Sequence, residues 1–81
     1  MNESEIRAEV LELLKSVAPE LEVRELRPDR PLRNQVDLDS MDWLNFLVSV
    51  HERLRVDIPE TDYKRLVTLD NLVAYLEAKL A

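Results

Sequence analysis

Cysteine and glycine are both absent from this chain of 81 residues. Without cysteine the chain can form neither a disulfide nor a thiolate metal site, and it has no thiol nucleophile of its own. Without glycine, left-handed backbone positions in tight turns must fall to other residues, and we expect Asn34 and Asn71 to take them. The composition is compatible with a reducing compartment, and any thiol must come from outside the chain.

Long apolar runs and an excess of positive charge are also missing. No stretch approaches the roughly 18 apolar residues of a membrane span, and the first residues lack the basic region of a signal peptide. We therefore expect a cytoplasmic protein without a membrane span. The formal net charge of −6 argues against nucleic acid as a partner, because phosphates attract basic surfaces. Residues 37–62 hold seven acids and two bases, so this segment should attract basic partner surfaces.

Length and hydrophobic periodicity predict a single all-α domain over residues 1–81. Three main amphipathic helices and one short helix are expected, at about 4–17, 40–55, 60–66 and 69–80. Ser4 and Thr68 are the expected N-caps of the first and last helices. Residues 18–38 hold three of the four prolines and no sustained periodicity, which predicts a long first loop. The fold class is a small four-helix bundle, and we expect a monomer.

The second main helix is more hydrophobic than one core face requires. Its apolar residues span an arc of roughly 220°, whereas the stripe of an ordinary surface helix is about 100° wide. Met41, Leu44 and Val48 form the extra side of this arc. Either neighbouring helices bury both sides, or these three residues form an exposed apolar strip, beside the acids Asp42 and Glu52, that binds a partner.

Asp39 and Ser40 stand where this helix should begin. Asp39 is the expected N-cap, and a phosphodiester on Ser40 would lie where free backbone N–H groups and the helix dipole favour negative charge. Catalysis by Ser40 would instead need a general base within hydrogen-bond reach. The only histidine is His51, and eleven residues of helix separate it from Ser40 by about 16 Å. We therefore predict that the chain is not an enzyme.

A calcium loop is the metal site that the acidic residues resemble most. Asp37 and Asp39 have the spacing of its first two ligands, but Met41 removes the next oxygen ligand and no glycine stands at the sixth position. We therefore predict no metal site and interpret these acids as caps and surface charge.

Three ordered segments resemble the acyl and peptidyl carrier protein family. The run Asp37-Leu38-Asp39-Ser40-Met41-Asp42 resembles the family's Gly-x-Asp-Ser-Leu-(Asp) signature. Residues 56–62 are similar to its Ile-Pro-Asp-Glu-Asp stretch, and residues 68–76 are similar to its closing helix. The spacing between the segments also agrees, so the resemblance covers about residues 4–80.

The resemblance implies a carrier that holds an acyl intermediate as a thioester on 4′-phosphopantetheine, which is derived from coenzyme A and joined covalently to Ser40. Asp39 matches the aspartate that assists this modification in the family. A phosphopantetheinyl transferase would install the arm, and acyl-transferring and acyl-modifying enzymes of fatty-acid, polyketide or related biosynthesis would bind the second main helix. The expected partner-binding residues are Met41, Asp42, Leu44, Val48 and Glu52.

Four positions depart from the family pattern. Asp37 replaces the signature glycine in the loop before Ser40. Asn45 and Arg53 stand where acids are usual, and the less acidic second main helix suggests a specialised carrier. Trp43 stands where a smaller side chain near the acyl cavity is usual, so we expect it to narrow or reshape that cavity. An aminoacyl or peptidyl cargo is one alternative. The other is an unmodified helical adaptor that binds partners through the apolar strip.

Overall fold

Helices account for most of the described chain. The computed structural model describes residues 1–80, and this part contains four α-helices, two 3-10 helices and no strand. The α-helices are α1 (Glu3–Val17), α2 (Leu32–Gln35), α3 (Ser40–Leu54) and α4 (Leu69–Leu80), and the 3-10 helices span Val23–Glu25 and Glu60–Arg65. No helix within residues 1–80 has the length and apolar character needed to cross a bilayer. The predicted all-α bundle is confirmed.

The first helix is capped by a residue that differs from the expected one. Asn2 is the N-cap of α1, because its side-chain oxygen accepts a hydrogen bond of 2.9 Å from the backbone N–H of Glu5. The Glu5 carboxylate in turn accepts one of 3.1 Å from the backbone N–H of Asn2. This reciprocal capping box satisfies two N–H groups at once. The prediction that Ser4 is the cap is therefore wrong, and Ser4 lies inside the helix.

The predicted long first loop contains two short helical segments that the periodicity did not indicate. Gln35, at the end of α2, holds this connection together. Its Oε1 accepts a hydrogen bond of 2.6 Å from the backbone N–H of Arg27, and its Nε2 donates to the carbonyl oxygens of Arg27 and Arg30 at 2.8 and 3.0 Å. The connection that leads to α3 is therefore held by specific side-chain contacts.

One residue within residues 1–80 has a positive φ, and it is not an asparagine. Arg55 directly follows α3 with φ 55° and ψ 43°. Asn34 lies inside α2 and Asn71 lies in the first turn of α4, so the expectation of left-handed turns there is wrong. Asn71 instead exchanges side-chain to backbone hydrogen bonds of 3.0 and 3.3 Å with Thr68. This exchange confirms Thr68 as the N-cap of α4.

The three long helices enclose one hydrophobic core, in which α1 packs against both α3 and α4. Apolar side chains from all three helices and from the connections meet there, and the largest that are fully buried are Ile6, Leu14, Leu32, Phe46, Leu47, Leu72 and Leu76. No polar or charged residue in the described part of the chain is buried to the same degree. The interior is therefore apolar, and ionisable groups lie at its edges.

Ion pairs join α1 to the other long helices at the surface. Arg53 lies 3.0 Å from Glu9 and 3.4 Å from Glu12, and Arg7 lies 2.9 Å from Asp70. Oε2 of Glu9 is buried and has no hydrogen-bond partner within residues 1–80, so its contact with Arg53 is an ion pair without a hydrogen bond. The hydrogen bond to Asp70 raises the pKa of the Arg7 guanidinium. Exposed pairs of this kind contribute less than about 1 kcal/mol each.

Candidate functional site

Ser40, the candidate attachment residue, is the first residue of α3 and is exposed. Asp39 before it is the N-cap, as predicted, and its Oδ1 accepts a hydrogen bond of 2.8 Å from the backbone N–H of Asp42. The other N–H groups of the first turn have no partner within the helix, and the helix dipole adds positive potential there. The start of α3 therefore favours an anion next to Ser40.

Two buried residues determine where Ser40 lies. Leu38 is 6% exposed and Trp43 is 8% exposed, so the chain is anchored in the core on both sides of Ser40. Trp43 also packs against Phe46, with 5.3 Å between the ring centroids. Within residues 1–80, the hydroxyl of Ser40 makes no side-chain hydrogen bond, unlike the hydroxyl of Ser49. Ser40 is therefore an exposed residue whose hydroxyl is not held by another group of the described chain.

The loop before Ser40 does not require a glycine. Asp37 occupies the position of the glycine in the family signature. A glycine would be needed there if φ were positive, but within residues 1–80 only Arg55 has a positive φ. Asp37 therefore has a backbone conformation that is open to any L-amino acid. Its side chain is exposed, so the replacement adds a carboxylate to the surface near Ser40 without straining the loop.

His51 is too far along α3 to activate Ser40, because eleven residues at 1.5 Å each separate them by about 16 Å. Its Nδ1 lies 2.7 Å from the carbonyl oxygen of Val56, just beyond the end of α3. Within the same described residues, no group of three or more His, Cys, Asp or Glu side chains is arranged to hold a metal ion. The surroundings of Ser40 thus offer an exposed hydroxyl that the chain's histidine cannot reach.

The apolar strip lies on α3 next to Ser40. Met41 is 65% exposed, Leu44 40% and Val48 45%. The buried residues of the same helix are Trp43, Phe46, Leu47, Val50 and Leu54. The structure thereby excludes burial of both sides of the wide apolar arc, because the neighbouring helices leave the strip uncovered. That a partner binds there stays a prediction. Of the two acids expected beside it, Asp42 is half-buried and Glu52 is exposed.

Arg53 belongs to a different face of α3. The sequence suggested that Arg53 makes the partner-binding helix less acidic, but its guanidinium pairs with Glu9 and Glu12 on α1. Asn45, which also stands where an acid is usual, is exposed. Its backbone carbonyl oxygen accepts a hydrogen bond of 2.9 Å from the hydroxyl of Ser49. The charge of Arg53 is therefore used in packing α1 on α3.

Two features around the site are not predicted by the sequence pattern. Arg33 on α2 and Lys64 on the second 3-10 helix line one cleft together with Trp43. These residues are far apart in the chain, and no local signal indicates that their segments meet. In the same way, no local pattern indicates the contact of Tyr75 with the second 3-10 helix.

Tyr75 links α4 to the second 3-10 helix. Its hydroxyl donates a hydrogen bond of 2.6 Å to Oδ2 of Asp62. Partial burial and this bond raise the pKa of Tyr75 to about 12. The ammonium group of Lys79 lies 5.4 Å from the centre of the same ring. Tyr75 therefore helps to hold the 3-10 helix against the bundle.

Known proteins share both the sequence pattern and the fold. Residues 6–76 match the family model described as a phosphopantetheine attachment site. An acyl carrier protein of Streptomyces coelicolor is 26% identical over 80 residues, which are 99% of this chain and 87% of the relative. An acyl carrier protein of Helicobacter hepaticus is 25% identical over 73 residues, which are 86% of this chain and 96% of the relative.

A solved structure extends the similarity to three dimensions. The solution structure of a protein from Anaplasma phagocytophilum that is assigned as an acyl carrier protein has a TM-score of 0.87 at 27% identity. The match covers 100% of this chain and 94% of that protein. These similarities confirm the predicted family, the carrier function and the covalent phosphopantetheine cofactor. The chain belongs to the acyl carrier protein family, whose members have a phosphopantetheine attachment site.

Proposed function

We propose that Ser40 is the residue that carries the 4′-phosphopantetheine arm. In the transfer, Oγ of Ser40 forms a bond to the phosphorus that bears pantetheine, and the pyrophosphate P–O bond of coenzyme A breaks. Adenosine 3′,5′-bisphosphate leaves, and a base of the phosphopantetheinyl transferase takes the hydroxyl proton. The arm ends in a thiol, which the chain itself lacks, and this thiol holds the acyl group as a thioester.

The exposure of Ser40 at the start of α3 is the observation that carries this proposal. The other serines are less suitable. Ser49 is half-buried and its hydroxyl already donates to a backbone carbonyl oxygen, whereas Ser4 and Ser16 lie on α1 rather than beside the apolar strip. A phosphodiester at Ser40 would also gain from the free N–H groups and the dipole of a long helix.

Asp39 has two roles in the proposal. Its Oδ1 caps α3 and so fixes the turn that contains Ser40. Its negative charge, exposed next to Ser40, is available to the transferase during the modification. The second role follows the family pattern, in which the aspartate before the attachment serine assists the reaction.

The partner surface in this proposal is the apolar strip with its acidic neighbours. Met41, Leu44 and Val48 offer apolar contact area within three helical turns of Ser40. Asp42 and Glu52 would attract basic groups and would fix the orientation of a docked enzyme. The transferase and the acyl-transferring and acyl-modifying enzymes would use this one surface, because all of them act on the arm that starts beside it.

In this role the chain supplies no catalytic group of its own. We propose one carrier domain over residues 1–81 that works as a monomer in the cytoplasm, in fatty-acid, polyketide or related biosynthesis. The partner enzymes supply the chemistry, while the carrier supplies the tether and the recognition surface. An aminoacyl or peptidyl cargo, or no modification at all, would be a different outcome of the experiment below.

Mass spectrometry of the protein from its native host tests the proposal. We expect the intact mass to include phosphopantetheine, and fragmentation to place it on Ser40. An acyl group found on the arm would name the pathway, and an aminoacyl group would indicate a peptidyl carrier. A chain that is unmodified throughout would favour the adaptor alternative, and an arm on another residue would contradict the assignment to Ser40.

A further inference from the structure

A cleft of about 400 Å³ opens beside the first turn of α3. Leu38, Trp43 and Leu66 form buried apolar parts of its lining, and Tyr63 adds a half-buried ring. Trp43 packs with a ring-centroid distance of 5.3 Å against Phe46, which is fully buried. Trp43 is therefore held against the core and gives the cleft a fixed apolar wall.

The charge in this cleft is opposite to that of the whole protein. Arg33 and Lys64 are its only charged lining residues, although the chain has a formal net charge of −6. Both are exposed, and neither forms an ion pair within residues 1–80. Another surface cleft has the reverse character, since its charged lining residues are Glu20, Glu22, Glu25 and Asp37. The cleft beside α3 therefore suits an anion that also has an apolar part.

Ser40 lies within one helical turn of the cleft, two residues after Leu38 and three before Trp43. A group on an arm attached to Ser40 would be tethered near this cleft at an effective concentration of about the millimolar range. Two exposed cations attract a free carboxylate only weakly. A tethered carboxylate avoids much of the cost of association, and contacts of its methylene groups with the apolar lining add to the attraction of the two cations.

We propose that this cleft binds the carboxylate of a short acyl group carried on the arm, as in the half-thioester of a dicarboxylic acid. The carboxylate lies between Arg33 and Lys64, and its methylene groups contact Trp43 and Leu66. An uncharged acyl group of the same length lacks the contact with the two cations, so the cleft favours the carboxylate. The inference rests on the proposed attachment of the arm to Ser40 and adds the chemical class of the cargo.

Succinyl and butyryl groups are matched probes, because they have the same carbon chain length and differ in one carboxylate. A broad-specificity transferase would load the full chain from coenzyme A, butyryl-coenzyme A or succinyl-coenzyme A, with mass spectrometry to verify each product. The indole N–H of Trp43, the only tryptophan, would be followed by nitrogen–proton NMR. We expect the succinyl form to shift this signal and the butyryl form and the unacylated arm to leave it nearly unchanged.

Charge variants test whether the cations cause the shift. Replacing both cations, Arg33→Gln with Lys64→Gln, should abolish the succinyl shift while loading proceeds. Arg24→Gln is the matched control, because Arg24 is exposed on the same connection but does not line the cleft, and this variant should retain the shift. Added salt should reduce the shift in wild type, since the contact is solvent-exposed.

Each other outcome overturns the inference in a recognisable way. Equal shifts from succinyl and butyryl would mean that the carboxylate is not bound, and an equal shift from the unacylated arm would place its phosphate at the cations. Loading without any carboxylate-dependent shift would contradict the cargo class alone. Failure of the wild-type chain to react with any of the three donors would instead contradict the attachment at Ser40, on which the inference rests.

Discussion

Asp39 and Asp42 are joined by a hydrogen bond of 2.8 Å from the backbone N–H of Asp42 to Oδ1 of Asp39, and Ser40 lies between them in the chain. The bond fixes the first turn of α3. Leu38 and Trp43 anchor the same turn in the core from both sides. The position of the Ser40 hydroxyl at the surface is therefore set by local structure and does not depend on a partner.

Substitution can separate the cap of Asp39 from its charge. Asp39→Asn keeps a cap oxygen, so its free energy of unfolding should stay close to wild type, whereas Asp39→Ala should lose about 1 kcal/mol. Both variants should be loaded with phosphopantetheine more slowly, because both lack the carboxylate. Urea titrations and loading time courses measure the two effects. Loading of Asp39→Asn at the wild-type rate would limit Asp39 to its capping role.

Leu44→Asp tests the apolar strip. The variant should keep the helical circular dichroism of wild type, since Leu44 is already 40% exposed. The KM of a phosphopantetheinyl transferase for the carrier should rise about fivefold, which corresponds to about 1 kcal/mol of docking energy.

Leu47→Asp is the matched control on the same helix. Leu47 is 1% exposed, so a carboxylate there should unfold the protein. If Leu44→Asp also unfolds, Leu44 is part of the core. If instead it folds and its KM is unchanged, the transferase does not contact the strip.

Tyr75→Phe should remove a contribution to the free energy of unfolding that wild type itself loses at alkaline pH. Folding raises the pKa of Tyr75 from 10.0 to about 12, so the folded state favours the protonated phenol that donates to Asp62. This contribution, about 1 kcal/mol, is complete below pH 10 and is lost as pH rises through the folded pKa. The Tm difference between wild type and variant should therefore shrink over that window. A difference that stays constant there would contradict the role of the phenol proton.

Arg55→Gly should stabilise the protein, because Arg55 ends α3 in the left-handed region at φ 55°. That conformation costs a residue with a Cβ roughly 1–2 kcal/mol, and the larger unfolded-state entropy of glycine offsets part of the gain. We expect a net increase of about 0.5–1 kcal/mol in the free energy of unfolding, measured with urea. Arg55→Val should be destabilising. A loss of stability in Arg55→Gly would contradict the left-handed end of α3.

Local signals explain most of what the sequence predicts correctly. The apolar stripes of the long helices repeat over several turns, and the caps Asp39 and Thr68 act on N–H groups only three residues away. Ser40 is placed by the same short-range rules. The N-cap of α1 was predicted wrongly because two polar residues, Asn2 and Ser4, lie near the start of that helix. Asn2 is the cap, since Glu5 completes a capping box with it.

Contacts between distant segments explain the rest. Gln35 holds the connection through backbone groups five and eight residues away, and it carries no periodic signal. The exposure of Leu44 depends on which helices cover α3. The width of the apolar arc of α3 does not by itself determine this. The pairing of Arg53 with α1 and the placement of Arg33 and Lys64 along one cleft likewise require the folded bundle.

Loading of wild type, Ser40→Ala and Ser49→Ala in parallel tests most directly whether Ser40 bears the arm. Each protein would be incubated with coenzyme A and a broad-specificity phosphopantetheinyl transferase, and its intact mass measured. Ser49→Ala makes the same chemical change on the same helix. We expect wild type and Ser49→Ala to gain one phosphopantetheine each and Ser40→Ala to gain none. A gain by Ser40→Ala, or an unmodified wild type beside a carrier protein that the same enzyme does load, would contradict the assignment.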